Sequence, residues 1–293
     1  MAEQIISFES GVDGFPLQGY VWPVQKARAV VVIAHGAAEH ALRYRRFAAA
    51  LNGAGLEVRA LDHRGHGASP GPEGLGDFGA GGWDGLVADL AQFIRMARAA
   101  HPSLPLVLFA HSMGAAAAQQ YVQDHSDEID ALVLSGSTAR ELPPEGEPPP
   151  LSSYNAPFEP GRTPYDWLSR DPLEVDRYIE DPLCGFESQA REFPRASARR
   201  LADPQRLAAI RGNLPCLLVA GDEDPINFRL AGLRLLERRW RDAGVARIDT
   251  RYYPGGRHEM LNETNREAVT ADILEWIEGR LAELSPLARR PQT

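Results

Sequence analysis

One stretch, Leu106-Val107-Leu108-Phe109-Ala110-His111-Ser112-Met113-Gly114, restricts what this chain can fold into more than any other. An apolar run of strand type stops at a serine. Small residues, Ala110 and Gly114, stand two places before and two places after it, and a small-residue helical run begins at Gly114. A strand that turns sharply into a helix at a serine needs this arrangement, because larger flanking side chains collide with the neighbouring strand and helix. Such a turn, a nucleophile elbow, holds the serine in a strained conformation with its hydroxyl pointing out. The usual pattern has glycine at both flanks, and Ala110 departs from it by one methyl group.

The rest of the chain supplies a frame for that turn. Residues 29–34 form a continuous, mostly β-branched run, as expected of a strand buried on both faces of a parallel sheet. Further strands are expected at 5–9, 17–21, 56–61 and 129–135, with helices at 44–54, 83–100 and from 114 to about 125. This alternation predicts an α/β chain with a mostly parallel central sheet and helices on both faces. It lapses after residue 135. Prolines at 143, 144 and 148–150 exclude regular helix or central strand there, and 162–211 is polar with short helical stretches. Strands resume at 217–220 and 248–252, with helices at 228–243 and 267–284 and a frayed tail after 285. The organisation expected is a core in two parts, 1–137 and 212–293, interrupted by an inserted cap at 138–211. A cap there would cover the carboxyl ends of the strands, where such sheets bind ligands. Its Tyr154, Phe158, Tyr165, Trp167, Tyr178, Phe186 and Phe193 are either a small core of its own or the walls of a ligand site.

Composition narrows the partners. A net charge of −9 over 293 residues argues against a nucleic-acid partner. The first residues lack the basic and apolar regions of a signal peptide, and no run approaches the ~18 apolar residues of a membrane span. Cys184 and Cys216 are far apart, a usage that fits a reducing compartment, so a cytoplasmic location is expected. Lys26 is the only lysine beside abundant arginine, which reads as the codon bias of a GC-rich bacterial genome.

A serine hydroxyl is a weak nucleophile and needs a histidine base, which in turn needs an orienting acid. Where a nucleophile elbow of this kind carries the serine, the three follow in the order serine, acid, histidine. Gly221-Asp222-Glu223-Asp224-Pro225 follows one late strand, and Tyr253-Pro254-Gly255-Gly256-Arg257-His258-Glu259 follows the next. His258 is the only histidine after His125, which makes it the candidate base. Asp222, Glu223 and Asp224 compete for the acid. A tetrahedral intermediate also needs two preorganised N–H donors, one after the nucleophile and one from the loop after an early strand.

Taken together, His35-Gly36-Ala37-Ala38-Glu39-His40 with Arg43-Tyr44, Asp62-His63-Arg64-Gly65-His66-Gly67-Ala68-Ser69, His111-Ser112-Met113-Gly114 and the two late motifs resemble the monoacylglycerol lipase and lysophospholipase branch of the α/β-hydrolases. The resemblance spans roughly 28–135 and 215–262 and leaves the insertion unconstrained. It implies a catalytic triad of Ser112, Asp224 and His258, with Asp222 as second choice for the acid. It implies an oxyanion hole from the N–H groups of Ala37 and Met113, in a loop stiffened where Ala38 and Ala115 replace the family's frequent glycines. The expected activity is hydrolysis of carboxylic esters, most of all monoacyl lipids, without a cofactor.

Two rivals share the fold. A proline-releasing aminopeptidase needs cap carboxylates to hold a free amine, with Asp166, Asp171, Glu174, Asp176, Glu180 and Asp181 as candidates. A non-catalytic ligand receptor needs no working triad. His35, His40, His63 and His66 have ligand-like spacing, but no cysteine or tight carboxylate cluster completes a site, so no metal is expected. Arg191, Arg195, Arg199, Arg200, Arg206 and Arg211 read as a solvated helical face, with contact to an anionic head group or a transient contact to a membrane surface as the functional alternative.

Overall fold

The apolar runs become the middle of an eight-stranded sheet, ordered β1-β2-β4-β3-β5-β6-β7-β8. These strands are β1 (Gln4–Glu9), β2 (Pro16–Trp22), β3 (Ala29–Ala34), β4 (Leu56–Asp62), β5 (Leu106–His111), β6 (Ala131–Ser135), β7 (Cys216–Gly221) and β8 (Ile248–Tyr253). The architecture comes from a computed structural model, which describes residues 3–139, 151–188 and 195–284. β2 runs antiparallel to β1 and β4, and all other pairings are parallel.

Every residue of β3, β5, β6 and β7 is buried, because helices cover both faces. Period two within each run sorts the side chains. Val30, Val32 and Ala34 of β3 face one core, with α2 (Gly82–Ala100), α3 (Met113–His125) and α7 (Ala231–Asp242). Ala29, Val31 and Ile33 face the other, with α1 (Arg45–Gly53) and α8 (Arg266–Leu284). Each fully buried Val, Leu or Ile contributes ~1.5–3 kcal/mol through loss of water contact.

The strand order fixes where a ligand belongs. The chain moves from β3 outward to β4, then crosses back to place β5 on the other side of β3. The loops after β3 and β5 therefore leave in opposite directions and open a crevice at their carboxyl ends. Gly36–His40 and Ser112 flank that crevice.

Two expected helices differ in detail. A 3-10 turn, Ala41–Tyr44, precedes α1. The helix expected from 228 starts at Ala231, because Phe228, Arg229 and Leu230 have φ of 54°, 51° and 71°. Asn227 holds that turn by accepting Leu230 N–H at Oδ1 (2.7 Å) and Gly232 N–H at its carbonyl (2.9 Å).

Between β6 and β7 the described residues contain helical segments and no strand: 3-10 turns at Leu151–Phe158 and Asp166–Leu168, then α4 (Pro172–Glu180), α5 (Arg195–Ala202) and α6 (Pro204–Ala208). The later part packs on the sheet domain, with Ala198, Leu201, Leu207 and Ile210 in the α3-side core. The earlier part makes a small core of Trp167, Leu168 and Tyr178, with Tyr154, Phe158, Tyr165, Cys184 and Ile226 against it. Phe186 instead faces the His66 ring at 5.2 Å, and Phe193 and Arg191 lie outside the described residues.

Candidate active site

Ser112 sits between β5 and α3 with φ 50° and ψ −111°, a sparsely populated conformation that costs ~1–3 kcal/mol and persists only where its surroundings enforce it. Two backbone bonds do so. Ser112 N–H donates to the Ser135 carbonyl (3.0 Å), and Gly114 N–H to the His35 carbonyl (3.1 Å). Gly114 cannot be larger: a Cβ there would stand 2.3 Å from the Ala34 carbonyl oxygen. The methyl of Ala110 finds room in the α3-side core.

The loops after β7 and β8 meet backbone to backbone. A Cβ on Gly221 would lie 1.9 Å from the Gly256 carbonyl oxygen, and Glu223 N–H donates to that oxygen at 3.0 Å. This contact brings acid and base together. His258 Nδ1 is 3.0 Å from Asp224 Oδ2, and His258 Nε2 is 2.9 Å from Ser112 Oγ. Asp224 is wholly buried, and its carboxylate also accepts Ile226 N–H (2.9 Å) and Asn227 Nδ2–H (3.1 Å). Asp222 is turned elsewhere and accepts Gly255 N–H at 2.7 Å. Gly136, with φ +56°, lets the backbone pass the base: a Cβ there would lie 2.9 Å from His258 Cε1.

Burial works against the imidazolium form of His258, but the adjacent Asp224 carboxylate, aided by Glu259 and Glu39, overcomes it and raises the pKa. His111, whose ring lies 4.8 Å from that of His258, shifts the opposite way. Burial, then repulsion from His258, pushes it down to about 4, so it stays neutral beside the base. Met113 opens α3, where N–H groups have no intrahelical acceptor. The loop carrying Ala37 abuts the serine, since a Cβ on Gly36 would come within 3.2 Å of Ser112 Cβ. The geometry thus gathers Ser112, Asp224, His258, Met113 and the Ala37 loop at one end of the sheet.

Residues 25–265 match the family model described as serine aminopeptidase, S33. The chain belongs to that family of α/β-hydrolases. Within it, the chain falls in the monoacylglycerol lipase branch. It is 35% identical to a monoacylglycerol lipase of Mycolicibacterium smegmatis, over 93% of this chain and 96% of the relative. It is 31% identical to the monoglyceride lipase of Homo sapiens, over 90% of this chain and 86% of the relative. Among solved structures, a thermostable carboxyl esterase of Bacillus coagulans in complex with glycerol superposes with a TM-score of 0.85 at 27% identity, covering 96% of this chain and 99% of that one.

The family frame contains a buried ionic network that reading the sequence did not assign. Glu39 accepts Gly36 N–H (2.5 Å), Tyr44 Oη–H (2.9 Å) and Arg43 (2.7 Å). Arg43 in turn makes a two-pronged contact with Glu259, at 2.6 and 2.7 Å. Burial opposes charge on Glu39, but Arg43 and the Gly36 N–H prevail and hold its carboxyl below the usual range. The network ties the loop after β3 to the residue following His258. Its sequence signal was the Glu39–Arg43 spacing, one helical turn, inside the first family motif. The segment between β6 and β7 adds main-chain support. The carbonyls of Trp167 and Leu168 accept the N–H groups of His258 (3.3 Å) and Glu259 (2.8 Å), and the Trp167 ring lies 5.1 Å from the His258 ring.

Several of the remaining candidates have structural partners, while both ring nitrogens of His63 lack a hydrogen-bond partner among the described residues. His35 bridges two strand ends, with Nδ1 on the Gly36 carbonyl (2.7 Å) and Nε2 accepting His63 N–H (3.0 Å). His66 Nδ1 bonds the Arg64 carbonyl at 3.0 Å. Of the basic run, Arg200 and Arg206 both pair with Asp124, and Arg211 donates to the Ile129 carbonyl. The carboxylates that an aminopeptidase needs free are engaged: Asp166 by Thr163, Asp171 by Arg266, Glu174 by Arg46 and Arg177, Asp176 by Arg162, and Asp181 by His40. Glu180 is the exposed member of that set.

Proposed function

We propose that the chain is a serine hydrolase that cleaves carboxylic esters of monoacyl lipids. The observation that carries this reading is the unbroken chain from Ser112 Oγ to His258 Nε2 and from His258 Nδ1 to Asp224, on a strained elbow. His258 takes the Ser112 proton as Oγ attacks the ester carbonyl. The developing oxyanion is received by the N–H groups of Ala37 and Met113. His258 then hands the proton to the departing alcohol, leaving an acyl-enzyme. A water molecule, deprotonated by the same imidazole, releases the fatty acid. Asp224 keeps the Nδ1–H tautomer and stabilises the transient imidazolium.

The monoacyl lipid preference is supported by the relatives named above. We further read 138–211 as a cap between core parts 1–137 and 212–293, with its aromatic cluster near His258 as apolar wall. Burial of acyl chain is worth ~0.8 kcal/mol per methylene, so an apolar wall favours long chains over short ones. Leu173 and Ile179 of α4 are 64% and 46% exposed, which supports a transient contact of the cap with a lipid surface. Among the described residues no helix is long and apolar enough to cross a membrane. Cys184 and Cys216 are free thiols, in keeping with a reducing cytoplasm.

A substrate panel tests the reading. Kcat/KM is expected to rise with acyl length across monoacylglycerols and to exceed that for short aryl esters, with amino-acid anilides the poorest. A preference for anilides would transfer the site to the aminopeptidase reading.

The pH profile is a second test. The base works only when neutral. His258 has a pKa raised above the ordinary 6.5, so activity is expected to climb with pH through a midpoint above that value. A midpoint below 6.5 would mean that another group limits the rate.

A further inference from the structure

Three potential metal ligands meet where the loop after β3 touches the segment after α4: His40 from the former, Asp181 and Cys184 from the latter. His40 Nε2 lies 3.0 Å from Asp181 Oδ2, across 141 residues of sequence. With Cys184, the ligand atoms of this group all fall within 4.8 Å of one another. His40 is buried, at 6% exposure, and its Nδ1 has no hydrogen-bond partner among the described residues. The expectation of no metal, on the ground that no cysteine or carboxylate cluster completes a site, does not hold for the folded chain. The fold supplies at His40 both the carboxylate and the cysteine.

We infer that His40, Asp181 and Cys184 form a binding site for a zinc ion that joins the cap to the loop after β3. Bond lengths of about 2.0–2.3 Å and tetrahedral angles put zinc ligands ~3.3–3.6 Å apart. The His40–Asp181 pair needs only slight opening, and Cys184 needs to close by about 1 Å, within reach of a side-chain adjustment. The mixed nitrogen, oxygen and sulfur set suits zinc, whereas magnesium and calcium select oxygen donors alone. On binding, the Cys184 thiol gives its proton to solvent and bonds as thiolate. Thiolate and carboxylate then cancel the charge of the ion, so a half-buried site ends neutral. Water completes the fourth position.

The frame around the site already exists. The Ala38 carbonyl accepts both Tyr178 Oη–H (2.9 Å) and Gly185 N–H (3.0 Å), so the two segments are docked beside the three ligands. An ion would replace the direct His40–Asp181 contact by metal bonds. Because His40 shares a loop with Ala37, the ion also restrains the oxyanion donor; this consequence, unlike binding itself, rests on the function proposed above. Turnover that requires the cap to move away from that loop slows when zinc is bound.

The test begins with full-length protein stripped by chelator and titrated calorimetrically with zinc chloride near neutral pH. One ion per chain is expected. Cobalt(II) in its place is expected to give thiolate-to-cobalt charge-transfer absorption. Cys184→Ala is expected to abolish that absorption, and Asp181→Asn to weaken zinc binding about tenfold or more. No zinc binding by wild type, or absorption that persists in Cys184→Ala, overturns the site. In the activity arm, zinc lowers monoacylglycerol turnover several-fold in wild type, and each variant with zinc matches the same variant without it. Binding with unchanged wild-type turnover overturns the lock while the site stands. A chain inactive on all esters is recognised by the absence of turnover before zinc is added, and the binding arms still decide the site.

Discussion

Replacing Ser112 by alanine is expected to lower kcat for ester hydrolysis by about 10⁶-fold, the scale reached when a triad nucleophile is removed. Labelling by a fluorophosphonate probe should vanish with it. The elbow sets the size of this effect. Ser112 Oγ is held 2.9 Å from His258 Nε2, so its removal takes away both the attacking atom and the hydrogen bond that activates it. Alanine has the same backbone restrictions at φ 50°, so the strain of the turn is unchanged and the fold should hold. Circular dichroism and thermal unfolding check that point. A residual rate of ~10³–10⁴ over water can survive through the oxyanion hole alone. Activity near that of wild type in a folded Ser112→Ala protein ends the assignment of Ser112 as the nucleophile, whereas a wild-type chain that turns over no ester and takes no probe label favours the receptor.

How much of this was legible in advance follows from how local each requirement is. The elbow is a steric condition on five consecutive residues, so Ala110, Ser112 and Gly114 announce it without tertiary information. The buried strands are equally plain, since β-branched runs such as 29–34 have few other uses. The acid was not legible from the residues alone. Asp222, Glu223 and Asp224 share one turn, and only its folded path separates them: Asp222 meets Gly255 N–H, Glu223 pairs with exposed Arg229, and Asp224 points inward at His258. The family resemblance selected the residue that the geometry brings to the base. The Asp62–Ser69 motif looks chemical in sequence but ties loops together in the fold. Asp62 accepts Ala41 N–H and Ala68 N–H, each at 2.8 Å, and wholly buried Arg64 is bound by Asp13 and Asp89. Least legible were contacts between remote segments. Arg43 and Glu259 are 216 positions apart, and no periodicity reports that they meet. Breaking such a buried pair at one end typically costs about 3–5 kcal/mol, because the other charge is left unpaired.

The acid assignment gives the second large effect. Asp224→Asn is expected to lower kcat/KM by about 10⁴-fold, as when a triad aspartate is amidated, while Asp222→Asn stays within about tenfold of wild type. The difference lies in what each carboxylate does. Asp222 Oδ1 only accepts Gly255 N–H, and an asparagine oxygen accepts it equally well. Asp224 Oδ2 faces two groups at once, His258 Nδ1 and the Asn227 Nδ2–H donor. If the amide oxygen takes this position, the hydrogen bonds survive but the negative charge that stabilises the imidazolium is lost. If the amide nitrogen takes it, a donor faces His258 Nδ1, which must then give up its proton. The proton moves to Nε2, where it points at Ser112 and blocks general-base action. Either way the main support of the raised His258 pKa, the Asp224 carboxylate, disappears, while the burial that lowers it remains. The residual activity of Asp224→Asn should therefore show its midpoint at lower pH than wild type. Rates of fluorophosphonate labelling should fall in parallel with kcat/KM, since both depend on the same nucleophile. Should Asp222→Asn prove the crippling change, with Asp224→Asn nearly intact, the acid lies two residues earlier and the loop after β7 adopts another path in the working enzyme.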